Sequence, residues 1–267
     1  MTTLKTPDGT LHYEVRGQGP LVVLFGAPMD AGAFAPPADL LAADHTVLTT
    51  DPRGIHRSVL DDPGRDSTPA LRAADLAVLL AEVDAGPAVV FGSSGGAVSV
   101  LALAQAHPER VRAVIAHEPP HYTQLPDREK LDARMEDMVA AYAAGDTATA
   151  WAIFFENADI HLPEGALEHM FPAEPDPQYV ADERYSFLHM MRGTVRWEPD
   201  VAALRDGPVR VLVGLGEDST GQLCDRSSRA LAASIGTEPT MFPGGHVAWT
   251  EDAEGFAVRL REVLREL

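Results

Sequence analysis

Five residues, Gly92-Ser93-Ser94-Gly95-Gly96, constrain this chain more than any other segment. They follow the apolar run Pro87-Ala88-Val89-Val90-Phe91 and open a helix-compatible stretch from Ala97 to His107. A strand that turns sharply into a helix through Gly-x-Ser-x-Gly strains its serine and lifts the hydroxyl above the sheet. Small residues must flank such a serine, because a Cβ there would collide with the crossing strand and helix. Only Gly92 and Gly96 flank a serine at minus two and plus two. Ser94 is therefore the candidate nucleophile, and Ser93 is the inward-facing position.

The rest of the chain supplies a matching frame. Leu11–Val15, Leu21–Phe25, Thr46–Thr50 and Val111–Ala116 read as strands. Helices are expected over Ala38–Ala43 and from about Pro69 to Val83. Strands alternating with helices predict an α/β fold whose mostly parallel central sheet is covered by helices on both faces. From Tyr122 to Glu198 the strand pattern stops, and proline-punctuated helical stretches replace it. It resumes at Val209–Val213, with a helix near Arg226–Ile235, a strand at Thr240–Phe242 and a last helix over Ala253–Leu267. The expected division is a core at 1–121 and 199–267, interrupted by an inserted helical cap at 122–198.

Bulk properties narrow the function classes. At 267 residues and 45% apolar composition, the chain can bury one large core. A net charge of −19 repels phosphate backbones and anionic lipid, so neither nucleic acid nor a membrane is an expected partner. No run approaches the ~18 apolar residues of a membrane span. The lone cysteine, Cys224, excludes an internal disulfide and points to a reducing, cytoplasmic setting; it reads as a semi-buried helix residue and not as a nucleophile. Met1 to Gly9 is polar, so no signal peptide is expected. A small-molecule substrate is the expected partner, a homodimer is allowed, and neither cofactor nor metal is expected.

A serine hydroxyl needs a base. Among ten histidines, His246 stands apart in the turn Pro243-Gly244-Gly245-His246, between the last strand and the last helix. A loop at the carboxyl edge of the sheet can reach the elbow, where ligands of open α/β sheets bind. The histidine needs a carboxylate to orient it, and two qualify. Glu118 follows the Val111–Ala116 strand, and Asp218 follows Val209–Val213. Two rival motifs are weak. His117-Glu118-Pro119-Pro120-His121 matches a zinc-protease string, but two prolines prevent the helical turn that string requires. Gly214-Leu215-Gly216 lacks the third glycine of a dinucleotide loop.

With these residues in view, the chain resembles the α/β-hydrolase superfamily over nearly its whole length. Phe25-Gly26-Ala27-Pro28 is similar to its His-Gly-x-Pro oxyanion loop, with phenylalanine in place of histidine. Asp51-Pro52-Arg53-Gly54-Ile55-His56-Arg57-Ser58 is similar to its Asp-x-Arg-Gly-x-Gly-x-Ser turn, with His56 where glycine is usual. Gly92-Ser93-Ser94-Gly95-Gly96-Ala97 and His117-Glu118-Pro119-Pro120 most resemble the zearalenone lactonase-like hydrolases. That resemblance implies Glu118 as the triad acid, while the wider superfamily's aspartate would fall at Asp218. The backbone N–H groups of Ala27 and Gly95 are the expected oxyanion donors, because Pro28 cannot donate.

The expected activity is serine hydrolysis of a carboxylic ester or lactone through an acyl-enzyme. Carbon–carbon bond hydrolysis of a diketone, cofactor-free perhydrolysis and a non-catalytic binding protein are alternatives on the same frame. The cap carries Met135, Met138, Met170, Met190 and Met191, with Phe154 and Phe171 among its aromatics. Trp151, Phe155, Phe187, Met191 and Trp197 are the candidate substrate contacts, suiting a bulky, mostly apolar small molecule.

Overall fold

The computed structural model describes residues 2–161 and 174–267. Its strands are β1 (Thr2–Thr6), β2 (Gly9–Arg16), β3 (Leu21–Ala27), β4 (Thr46–Thr50), β5 (Val59–Leu60), β6 (Ala88–Ser94), β7 (Val111–His117), β8 (Arg210–Gly216) and β9 (Thr240–Phe242). They form a single sheet in the order β1-β2-β4-β3-β6-β7-β8-β9, with β5 paired to β2. Only the β2 pairings are antiparallel; β4 to β9 run parallel.

Helices α1 (Ala35–Leu41), α2 (Pro69–Val83) and α3 (Gly95–Ala106) belong to the first half. In the second half come α4 (Arg128–Ala143), α5 (Thr147–Asn157), α6 (Pro177–Tyr185), a π turn at Ser186–Met190, and α7 (Met191–Val195). Then follow α8 (Val201–Asp206), α9 (Leu223–Ile235) and α10 (Ala253–Glu266). α2 starts where Thr68 accepts from the Leu71 N–H and Pro69 presets the first helical φ.

The strands' period of two divides the core between the two faces. Val22, Leu24, Val89, Phe91 and Ile115 pack with Phe34, Trp249, Phe256 and Leu260 from the α1 and α10 side. Val23, Phe25, Val90 and Val114 pack with Leu76, Leu80, Val100, Leu101 and Leu231 from the α2, α3 and α9 side. Residues 122–195 hold a third cluster around Tyr122, Leu131, Met135, Met138, Tyr142 and Phe187. Met170 and Phe171 lie outside the described residues. No described helix is long and apolar enough to cross a membrane.

Two strands fall outside the apolar runs of the sequence. β1 is polar and mostly exposed, and it exists because its backbone pairs with β2 at the sheet edge. β5 is two residues long and pairs Val59 and Leu60 with Thr10 and Gly9. α3 starts at Gly95, ahead of the expected Ala97, because the turn delivers both glycines directly into helical geometry.

The chain leaves β3 for β4 on one side and returns as β6 on the other. Such a reversal opens a crevice beyond the carboxyl ends of the two strands. Ala27 and Ser94 are register partners at that point.

Phe91 is fully buried, with edge contacts to Phe242, Trp249 and Phe256. Phe91→Ala should cost about 3–5 kcal/mol of unfolding free energy by chemical denaturation. A loss under about 1 kcal/mol would mean that this face repacks freely.

Candidate active site

Ser94 adopts φ 55°, ψ −125° at the junction of β6 and α3. The flanking glycines are dictated by contact. A Cβ on Gly92 would sit 2.5 Å from the Gly96 carbonyl oxygen, and one on Gly96 would sit 2.6 Å from that of Phe25. Ser93 points inward, fully buried, with its Oγ 3.3 Å from His117 Nδ1. Burial lowers the His117 pKa to about 4, so this histidine stays neutral.

No side chain caps α3, so the first-turn N–H groups are not claimed by a capping residue. These include Gly95, the residue after the nucleophile. Ala27 adjoins it: a Cβ on Gly95 would lie 2.6 Å from the Ala27 carbonyl oxygen. The same position would lie 3.3 Å from Thr194 Cγ2, a residue of α7 that closes over the elbow.

Glu118 follows β7 in a left-handed conformation, φ 52°, with its N–H donating to the Gly214 carbonyl oxygen at 3.0 Å. Its Oε1 accepts from the Gly216 N–H at 2.8 Å, and its Oε2 lies 2.5 Å from His246 Nδ1. A Cβ on Gly216 would meet Glu118 Oε1 at 2.8 Å, so the acid's seat depends on glycine at the end of β8. His246 arrives from the loop between β9 and α10, where Gly244 has φ 74°. Ser93 and His117 are register partners, so Ser94 and Glu118 stand at adjoining strand ends, roughly 4.8 Å apart in strand spacing. Glu118 is the ring's hydrogen-bond partner among the described residues, and the Ser94 hydroxyl is not joined to it. Catalytic hydrogen bonds commonly tighten only when substrate is present.

Burial works against the Glu118 charge, but the His246 hydrogen bond and the adjacent imidazoles outweigh it and bring its pKa to about 2. Burial likewise opposes the imidazolium of His246, yet the neighbouring Cys224 thiol and Glu118 carboxylate raise its pKa. Asp218, the other candidate acid, is exposed, and its backbone N–H donates to the Gly244 carbonyl oxygen. Its side chain makes no hydrogen bond among the described residues. The segment from His117 to His121 leaves the strand as an extended loop, so those two histidines are not one helical turn apart.

The other candidate contacts scatter. Trp151 donates from Nε1 to Glu183 Oε2 at 2.7 Å and stacks on Phe155 at 5.6 Å between centroids. Met191 packs at the edge of the 122–195 cluster. Phe187 is buried and stacks on Tyr142. Trp197 packs against the sheet-side core rather than against the helices above the elbow. Phe187 belongs to the same cluster as Trp151 and Met191, whereas Trp197 belongs to the sheet-side core.

Three features escaped the sequence. Cys224, in the first turn of α9, has its sulfur within 4.8 Å of ligand atoms of both His246 and Glu118. Arg72 is fully buried and donates to Ser99 Oγ at 2.7 Å, the Ser67 carbonyl oxygen at 2.7 Å and Thr194 Oγ1 at 2.8 Å. Burial without a bound carboxylate lowers its pKa to about 9. His56 has φ 51°, which explains glycine's preference there, and its Nδ1 sits 3.0 Å from Asp30 Oδ2. Only the last left a trace in the sequence, as a histidine in a glycine's place.

Comparison with known proteins agrees with this fold. The model of the Alpha/beta hydrolase family matches residues 21–259. An uncharacterized hydrolase, YraK, of Bacillus subtilis is 31% identical, over 99% of this chain and 96% of its own length. The zearalenone hydrolase of Bionectria ochroleuca is 34% identical, over 96% of this chain and 94% of its own. The solved enol-lactonase from Burkholderia xenovorans LB400 superposes with a TM-score of 0.65 at 20% identity, covering 99% of this chain and all of that one. The chain belongs to the alpha/beta hydrolase family, and it is an enzyme of that hydrolase type.

The direction of the His246 pKa depends partly on the Glu118 carboxylate, whose hydrogen bond and charge raise it. In Glu118→Gln that partner is neutral, and the His246 ring should titrate at lower pH by NMR. An unchanged midpoint would mean that the 2.5 Å contact is not formed in solution.

Proposed function

We propose that the chain is a serine hydrolase of carboxylic esters or lactones, working through an acyl-enzyme on Ser94. The observation that carries this reading is the His246–Glu118 pair, 2.5 Å apart, at the strand end next to the elbow serine. Ser94 Oγ attacks the carbonyl carbon while His246 takes its proton. Glu118 orients the ring and stabilises the imidazolium as it forms. The N–H groups of Gly95 and Ala27 hold the oxyanion, each donor contributing about 2.7–4 kcal/mol to the barrier reduction. His246 then protonates the leaving oxygen, which in a lactone stays tethered to the acyl group. Water, deprotonated by the same ring, attacks the acyl-enzyme and releases the acid.

Residues 122–198 act as the cap over this crevice, with Trp151, Phe155 and Met191 the candidate contacts for a bulky apolar substrate. A lactone fits the reading because the relative that is 34% identical is named a zearalenone hydrolase.

Ser94→Ala should lower kcat by about 10^6-fold. Glu118→Gln should lower it by about 10^4-fold, and Asp218→Asn should leave it within about twofold. Assays on chromogenic esters and macrolactones, with fluorophosphonate labelling of Ser94, check all three. Collapse of activity in Asp218→Asn alone would move the acid to β8 and sink the assignment of Glu118.

A further inference from the structure

We propose that Glu118, Cys224 and His246 together form a binding site for a thiophilic divalent cation of the zinc type, and that its occupation shuts the hydrolase off. The inhibitory half rests on the reading of His246 as the catalytic base. The three donors come from separate places in the chain: the end of β7, the first turn of α9, and the loop before α10. A carboxylate oxygen, a sulfur and an imidazole nitrogen nevertheless lie within 4.8 Å of one another.

The donor set is the reason for choosing this class of cation. Zinc takes thiolate at about 2.3 Å and imidazole or carboxylate at about 2.0–2.2 Å, which places ligands on one ion roughly 3.2–3.8 Å apart. Small side-chain adjustments are enough to reach that spacing from the observed one. Thiolate and imidazole select zinc-like ions, whereas magnesium and calcium require oxygen-rich sites. Cys224 sits in the first turn of α9, and its sulfur is the soft donor of the set. Access is available from the ring side, because the His246 side chain is 26% exposed. The chain's net charge of −19 attracts cations in general.

The consequence follows from the electron pairs. A metal-bound imidazole nitrogen has spent its lone pair on the ion, and Glu118, once a ligand, no longer orients the ring. Ser94 would then have no base to take its proton. Three protein donors leave a fourth tetrahedral position for water, as in open zinc sites.

The test titrates the full chain with ZnCl2 by isothermal calorimetry and follows ester hydrolysis over the same concentrations. One equivalent should bind and turnover should fall in parallel, with EDTA restoring it and MgCl2 having no effect. C224A should bind zinc more than about 10-fold more weakly. Equal zinc affinity of the native chain and C224A, no stoichiometric binding, or binding that leaves turnover intact would each overturn the proposal. A chain with no hydrolase activity would fail the turnover assay yet still show binding that C224A loses. The two failures are thus read on separate measurements.

Discussion

The geometry of the candidate site depends on how closely α3 can approach the two strands beneath its first turn. With Cβ positions on Gly92 and Gly96 only 2.5 and 2.6 Å from backbone oxygens, any larger residue pushes the helix off the sheet. That close approach forces the chain to reverse within one residue, and Ser94 absorbs the reversal at φ 55°. A non-glycine residue in that region costs of order 1–3 kcal/mol. The surrounding ladder, from Val22 to Ala27 against Val89 to Ser94, is rigid enough to hold it there. The strain and the exposed hydroxyl have one cause.

The same economy operates one strand further on. Glu118 also lies in left-handed space, and two backbone contacts with β8 hold it: its N–H to the Gly214 oxygen and its Oε1 to the Gly216 N–H. A buried carboxylate is costly unless its oxygens are bonded, and here one is bonded to a backbone donor and the other to an imidazole. The charge survives in the interior because of those partners, and it in turn holds the ring of His246 in place. Asp218, one strand over and exposed, has no such enclosure.

Much of this was legible in the sequence, and the reason is local. The elbow, Thr46–Thr50, Pro69–Val83 and Thr240–Phe242 each carry their own pattern of burial or capping, so each could be placed without knowing its neighbours. The α/β class followed from alternation alone. β1 was not legible, because an edge strand of polar residues is made by pairing and not by hydrophobicity. The choice between Glu118 and Asp218 was not legible from the residues either. Both follow strands ending at one edge, and only the turn conformations decide which carboxylate faces the loop of His246. Position within the helical insertion says nothing of which cluster a ring will join, and Trp197 packs against the sheet-side core. Cys224 gave no signal, since its proximity to His246 arises from the packing of α9 on the sheet.

The helical insertion is tied to the elbow by polar pins as much as by apolar contact, and this bears on how the crevice keeps its shape. Arg72 reaches from α2 to Ser99 on the elbow helix and to Thr194 on α7, and Ser99 in turn donates to the Gly95 carbonyl oxygen at 2.8 Å. The Ser67 N–H donates to the His189 carbonyl oxygen at 2.8 Å, and Gly54 leaves room for the Tyr185 ring against the Asp51–Ser58 turn. Hydrogen bonds to charged groups are worth about 1.5–3 kcal/mol each, and a buried guanidinium deprived of them would be left with a larger desolvation penalty. Sliding α7 away from the elbow would strip Arg72 of one of its acceptors. An apolar interface could shift by small increments, whereas one pinned by a buried cation cannot move without breaking a directional bond. The wall of the crevice above Gly95 is therefore set by the same network that anchors the elbow helix, and that wall is fixed from both sides.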